Sequence, residues 1–396
     1  MILPAVRVFL VTDALPDPPR GGLDLHVVEL AAALRARGVT VELHALAGAS
    51  PDAIGQSDVP GRDFSRSIAN NPQVDALQRL VRDVEPDVVH FHNLQGLSHR
   101  MPTVARREGA RVVWTHHDFF ALCQRVHLHR GDGRACDGPG GGAHCGPCHG
   151  GLRGLLASPV FGLRHLGFLA ALRATHAHIA PSAFVRDHLV AEPIAAHQVH
   201  VLPLAVPPPG RLAHPPAAGP ARLLFAGDLR PAKGADLVLQ ALARMTSPAS
   251  LVLAGGPPAP PAPRDVDFEQ RIEALSADGD VTHTGRYAPE DLLGLLDGAA
   301  ALIVGSRVRE TFGRTANLAL QAGVPVVAPN EGAFPERIRD GVNGFLYAPG
   351  DPASLAVAMD RVVADGLLMQ ADAPDWREPS LQDHVDALLP LYQGAR

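Results

Sequence analysis

The sequence predicts an α/β protein made of two doubly wound, parallel-sheet domains in tandem. Three observations predict it. Apolar β-branched runs alternate with amphipathic stretches at strand–turn–helix spacing. The alternation occurs on both sides of a proline-rich interruption. The chain has 396 residues, beyond the size at which one hydrophobic core keeps growing.

In the first half, Val6–Thr12 reads as a buried strand and Gly21-Gly22 breaks the chain. Asp24–Arg37 then places Val27, Val28, Leu30, Ala31 and Leu34 on one helical face, and Gly38 ends it. Further strands are expected at Val39–Leu46, Asp87–Phe91, Arg111–Thr115 and His178–Ala180. This alternation implies a parallel sheet covered on both faces. Prolines 207–209, 215, 216 and 220 can continue neither helix nor sheet, so 207–220 reads as a linker. The pattern restarts with strand Arg222–Ala226, helix Ala235–Met245 and strand Leu251–Ala254, then strands Ala300–Val304 and Val324–Ala328. Pro257–Pro263 reads as a surface loop. The expected division is a domain over 1–206, the linker, a second domain over 221–372, and a C-terminal segment 373–396. That segment carries a helix near Ser380–Tyr392, able to pack back on the first domain. Facing domains of this kind form a cleft beside the carboxyl ends of their strands, where open α/β folds bind ligands.

Composition narrows the classes. Hydrophobic residues at 46% and charged residues at 19% suit a folded chain. A formal net charge of −6 argues against nucleic acid, which demands basic stripes. The N-terminal run lacks a basic region and a cleavage site, so it reads as a strand and not a signal peptide. No uncharged apolar stretch reaches the roughly 18 residues that span a bilayer, and a cytoplasmic location is expected. Gly151–Ala174 is apolar with Arg153, Arg164 and Arg173 interspersed; it reads as a core helix, with a peripheral membrane role as the alternative.

Four cysteines, Cys123, Cys136, Cys145 and Cys148, fall in one glycine-rich insert over 123–150 with spacing C-x12-C-x8-C-x2-C. In a reducing compartment such clustering favours metal over disulfides. Structural zinc is the reading, with an iron–sulfur cluster, disulfides or free thiols as alternatives. His127, His129, His144 and His149 flank the cysteines and can replace one ligand.

Four turns carry the chemistry. Gly21-Gly22 lies between a strand and a helix N-terminus, where bare backbone N–H groups favour phosphate. The turn 227–234 carries Arg230 and Lys233, the cations a leaving diphosphate needs when no metal serves it. Glu310 follows a buried strand and precedes a helix, placed to accept sugar hydroxyls. Turn 332–336 places Glu336 after another strand.

These pieces, together with Asp87-Val88-Val89-His90-Phe91-His92, Thr115-His116-His117-Asp118, Ala180-Pro181-Ser182, Glu310-Thr311-Phe312-Gly313 and Gly323-Val324-Pro325-Val326-Val327, resemble the retaining GT-B glycosyltransferases of family 4. The resemblance runs over most of the chain, and the cysteine-bearing loop looks like a subfamily trait. It implies two Rossmann-like domains, an N-terminal one on the acceptor side and a C-terminal one binding a nucleotide sugar, most naturally a UDP-sugar. By resemblance Lys233 and Arg230 hold the donor diphosphate, and Glu310 contacts the donor sugar. Backbone at Gly21, Gly22, Thr311, Phe312 and Gly313 surrounds phosphates and sugar, and His117 stands beside the sugar as a catalytic residue with Glu310. No catalytic metal is expected, and the acceptor is a glycan, a lipid-linked or a small molecule. Two positions depart from the family: Leu318 stands where a ribose-binding glutamate is usual, and Asp228 where an arginine is usual. They keep open a second reading, a lapsed catalyst that binds nucleotide sugar or a partner.

Overall fold

A computed structural model describes residues 6–13, 15, 21–45, 72–130, 134–150, 154, 156–206, 212, 220–257, 263–277, 280–365 and 379–394. The expected linker, except 212 and 220, and residues 258–262 and 373–378 lie outside that set. The chain divides into two compact units, Met1–Ala205 with Pro379–Arg396, and Val206–Glu378.

The first unit is built on β1 (Arg7–Thr12), α1 (Gly22–Ala36), β2 (Thr40–Ala45), α2 (Pro72–Val84), β3 (Val88–Phe91), α3 (Arg100–Arg107) and β4 (Arg111–Thr115). There follow the short helix α4 (Cys145–Cys148), α5 (Ser158–Ala174), β5 (Ala177–Ala180), α6 (Ala183–Val190) and β6 (Val199–Val201). The strands form one parallel sheet in the order β2-β1-β3-β4-β5-β6, with Val8 opposite Val41 on one side and Val88 on the other. Side chains alternate between its faces. Phe9 and Val11 join the core under α2, α3 and α5, whereas Val8 and Leu10 join the one under α1. A strand buried on both sides must be apolar throughout, as 8–11 are.

The second unit contains β7 (Ala221–Ala226), α7 (Ala235–Leu242), β8 (Ala249–Ala254), α8 (Pro263–Ser276), β9 (Val281–Gly285), α9 (Leu292–Leu296), β10 (Ala301–Ile303) and α10 (Arg314–Ala322). It ends with β11 (Val326–Pro329), β12 (Gly344–Tyr347) and α11 (Pro352–Ala364). Its parallel sheet runs β12-β11-β10-β7-β8-β9. Where expectation and structure differ, the causes are local. Pro325 has no N–H to give a ladder, and the strand expected from Val324 starts at Val326. Pro263 opens α8 and does not lie in a loop, a first-turn position proline tolerates.

The last helix, α12 (Leu381–Tyr392), belongs to the first unit. Ser380 and Asp383 close a reciprocal capping box at its start. Val385, Leu388 and Leu389 then join the core beneath α1.

α5 departs from the simple core helix expected for 151–174. Phe161, Phe168, Leu169 and Leu172 are buried, but Leu163 and Leu166 are 62% and 61% exposed. Full burial of a leucine side chain contributes about 1.5–3 kcal/mol, and these two forgo more than half of it, so this exposed face does not serve the fold.

Candidate active site

Both sheets have a point where strand order reverses, the place where open α/β sheets bind ligands beyond their strands' carboxyl ends. In the second unit it falls between β7 and β10, and the turns after these strands carry the predicted donor-binding side chains. The two turns abut. Gly234 has φ +67°, and a Cβ there would overlap the carbonyl oxygen of Gly305, so only glycine permits the approach. It brings Lys233 Nζ to 2.7 Å from Glu310 Oε1, and Ser306 Oγ donates to the same oxygen at 3.1 Å. The two charged side chains keep 39% and 21% exposure, reachable by a ligand yet partly shielded from water. Glu310 is fixed through its backbone as well, its carbonyl accepting from Ala333 N–H at 2.9 Å in the turn 332–336.

Asp228, the out-of-place carboxylate, pairs with Arg230 at 2.7 Å. That contact offsets the repulsion a diphosphate would otherwise meet. Arg307 makes two hydrogen bonds, 2.6 and 2.9 Å, to the buried carboxylate of Asp236, and braces the turn's other side. Phe312 is buried under the Arg337 guanidinium, 4.5 Å from its ring centre. Gly313 takes φ +77° at the start of α10, with Thr311 half-buried before it. Asn317 donates to the carbonyls of Phe312 and Gly313 and so locks this turn. Leu318 packs against the apolar cluster under α10 and offers no acceptor.

In the first unit the reversal lies between β1 and β3. Gly21, exposed and extended, precedes α1, and the nearest atom to a Cβ there is Asp24 Oδ2 at 3.9 Å. Packing therefore does not require glycine at 21, and Gly22 is the first residue of α1. His117 follows β4, and its Nε2 lies 3.0 Å from His92 Nδ1. His26, His92 and His117 hold ring nitrogens within 4.8 Å of one another. Behind them His90 bonds Tyr392 Oη at 2.7 Å and Thr115 Oγ1 at 2.8 Å. Burial, reinforced by the neighbouring histidines, holds His90 and His92 well below the usual imidazole range, and burial lowers His384 too. His90, His92 and His384 are therefore neutral at pH 7. Asp118 accepts from Gln95 Nε2 at 2.6 Å and Phe120 N–H at 2.8 Å; desolvation raises its carboxyl pKa against those bonds.

All four cysteines line one small cavity of about 20 Å³ beside His129, His144 and His149. Cys145 is pushed up to about 11 by burial and by the other three thiols. Arg164, buried between the rings of Phe120 and Phe168, stands beside Cys123, Cys145 and Asp118. Among the described residues the side chains already close enough to share an ion are the three histidines, not the cysteines.

Residues 20–208 match the family described as Glycosyltransferase Family 4, and residues 212–375 match Glycosyl transferases group 1. The chain belongs to glycosyltransferase family 4. This chain is similar to the D-inositol 3-phosphate glycosyltransferase of Acidothermus cellulolyticus, 34% identical over 44% of this chain and 41% of the relative. That match spans less than half of the relative's length. The enzyme of the same name from Frankia alni is 29% identical over 90% of this chain and 87% of its own. In fold it is like Anabaena HepE, solved with UDP and glucose (TM-score 0.60, 16% identity, 98% and 97% of the chains covered). It is also like the sucrose-phosphate synthase of Thermosynechococcus elongatus (TM-score 0.67, 18% identity, 98% and 96% covered). Both parallel sheets are thus those of a GT-B glycosyltransferase.

Of the residues singled out in the sequence, Arg230, Lys233, Glu310, Thr311, Phe312 and Gly313 lie in the second unit. Gly21, Gly22, His117 and the four cysteines lie in the first. Sequence reasoning missed Ser306 and His26, and gave no role to His384 or Tyr392. The signal for His26 was its place one helical turn into α1, directly after the Gly-Gly turn.

Proposed function

We propose that this glycosyltransferase moves a hexose-type sugar from a UDP-sugar to a glycan, lipid-linked or small-molecule acceptor, with retention at the anomeric carbon. The observation that carries the reading is the convergence of Lys233, Ser306 and Glu310 where β7 and β10 part. On donor binding Lys233 leaves Glu310 for the diphosphate and stabilises the charge that develops as the sugar departs. Glu310, released, accepts hydroxyl hydrogen bonds from the sugar and orients it. Arg230 adds positive charge at the rim, moderated by Asp228. His117, backed by His92, donates to or accepts from a sugar hydroxyl. The leaving phosphate helps take the acceptor's proton, and no catalytic metal takes part. The solved HepE bound to UDP and to UDP-glucose supports the choice of donor.

Zinc at Cys123, Cys136, Cys145 and Cys148 is part of the same proposal. A cavity of about 20 Å³ suits one small ion, since a single water needs about 10–15 Å³. Four thiolates around a divalent ion carry a net negative charge, and the buried Arg164 is positioned to balance it. Bound zinc would hold the loop's shape by drawing the thiols inward.

Leu318, packed in apolar surroundings, favours the second reading, a nucleotide-sugar-binding protein without turnover. Calorimetric titration with UDP, GDP and their sugar conjugates tests the first. Base-selective binding followed by sugar transfer supports it; folded protein that binds none of them overturns it.

A further inference from the structure

The exposed face of α5 continues beyond the two leucines already noted. Leu156, just ahead of the helix, is 71% exposed and Val160 39%. Positions 156, 160, 163, 166 and 170 recur at helical spacing, so they form one stripe opposite Phe161, Arg164 and Phe168. A helix that is apolar on both sides has one side for the core and one for something else. Towards its C-terminus the stripe runs into an open groove of about 640 Å³. Leu166, Leu169 and Ala170 floor it, and Arg106, Arg107 and Arg173 rim it.

The charge here identifies the occupant. The three arginines are exposed, and neither α3 nor α5 contains an aspartate or glutamate. The nearest carboxylates are engaged elsewhere, Glu108 by Arg82 and Glu192 by His165, so the patch is positive on a chain whose formal net charge is −6. Leucines beside arginines match a surface whose outer layer is anionic and whose interior is hydrocarbon. A second copy docked stripe on stripe would offer these arginines no carboxylate from either helix, whereas an anionic headgroup does. We propose that this face seats the glycosyltransferase on an anionic phospholipid surface. The leucines enter the acyl boundary and the arginines meet headgroup phosphates. The first unit then takes its acceptor at that surface, a consequence that rests on the transferase reading; the docking itself does not.

The test is flotation of the full-length chain with vesicles of phosphatidylglycerol and phosphatidylcholine, against vesicles of phosphatidylcholine alone. The chain should float with the anionic vesicles at low salt and lose that binding as salt rises. Leu163→Asp with Leu166→Asp should abolish flotation while leaving UDP binding and the thermal transition unchanged. Arg107→Glu should weaken flotation, because stable anchoring takes both signals. Wild type that stays unbound with anionic vesicles at low salt overturns the proposal. So do variants that float like wild type, equal flotation with phosphatidylcholine alone, or a dimer that the leucine variants dissociate in a chain that never floats. UDP binding is read separately, so a failed donor reading remains distinguishable from a failed docking.

Discussion

Lys233 and Glu310, 77 positions apart in sequence, hold each other at 2.7 Å at the point where β7 and β10 diverge. Each neutralises the other, and the site carries less charge than its residues suggest. A donor that takes the lysine with its diphosphate and the glutamate with its sugar replaces one contact by two.

Removing either partner should therefore harm turnover far more than folding. A partly exposed ion pair contributes at most about 1 kcal/mol to stability. Lys233→Ala and Glu310→Gln should each lower kcat/KM on the order of 10²–10³-fold. Chemical unfolding should shift by less than about 1 kcal/mol. Steady-state kinetics beside urea titration reads both, and full activity in either variant removes these residues from the site.

Asp228 restrains Arg230 through their 2.7 Å contact. Asp228→Asn should free the guanidinium and tighten UDP binding up to about fivefold, roughly the 1 kcal/mol of an exposed pair. The gain should vanish at high salt. Unchanged affinity in calorimetry at low salt would show that Arg230 faces away from the phosphates.

The first unit should lose stability in mild acid. Burial lowers His90, His92 and His116 well below the ordinary imidazole value of about 6.5, and His178 to about 4. A group whose folded pKa is depressed leaves the unfolded chain binding more protons. Its contribution is complete above about pH 6.5 and is lost as pH falls toward the folded value. Each adds up to about 1.4 kcal/mol per pH unit over that window. The urea midpoint of the transition reporting this unit should fall between pH 7.5 and 5.5; an unchanged midpoint would contradict neutral burial.

The cysteine loop should retain metal through purification without chelator. One equivalent of zinc, with thiols unreactive until chelator is added, is the expected result. Cys145→Ser with Cys148→Ser should abolish retention and lower the melting temperature of the first unit. UDP binding should be untouched, because Lys233 and Glu310 lie in the second unit. Metal-free protein with four reactive thiols would refute the zinc.

The strands that build each sheet's centre were legible because burial on both faces leaves runs such as Val8–Val11 and Leu223–Phe225 wholly apolar. β9, with Thr282, His283 and Thr284 exposed at the sheet edge, carries no such signal, and the three-residue β6 is too short to show one. The two faces of α5 were hidden because apolar residues on both sides leave no helical period to read. Within the site, Lys233 and Glu310 were visible as motif residues. Their mutual contact was not, since it depends on Gly234 meeting Gly305. The histidine cluster is drawn from positions 26, 90, 92, 117 and 384, and no local window contains it.

Tyr392 closes over His90, and α12 completes the first unit with residues that a ribosome makes only after the whole second unit. The N-terminal half therefore waits through synthesis of the entire second unit before its apolar underside is covered. A nascent chain in that interval is a natural client for a chaperone. Cutting the gene after codon 205 would yield an orphaned fragment and not a free-standing domain. The halves of this chain are separable on paper, but the order of translation ties the maturation of the first to the completion of the second.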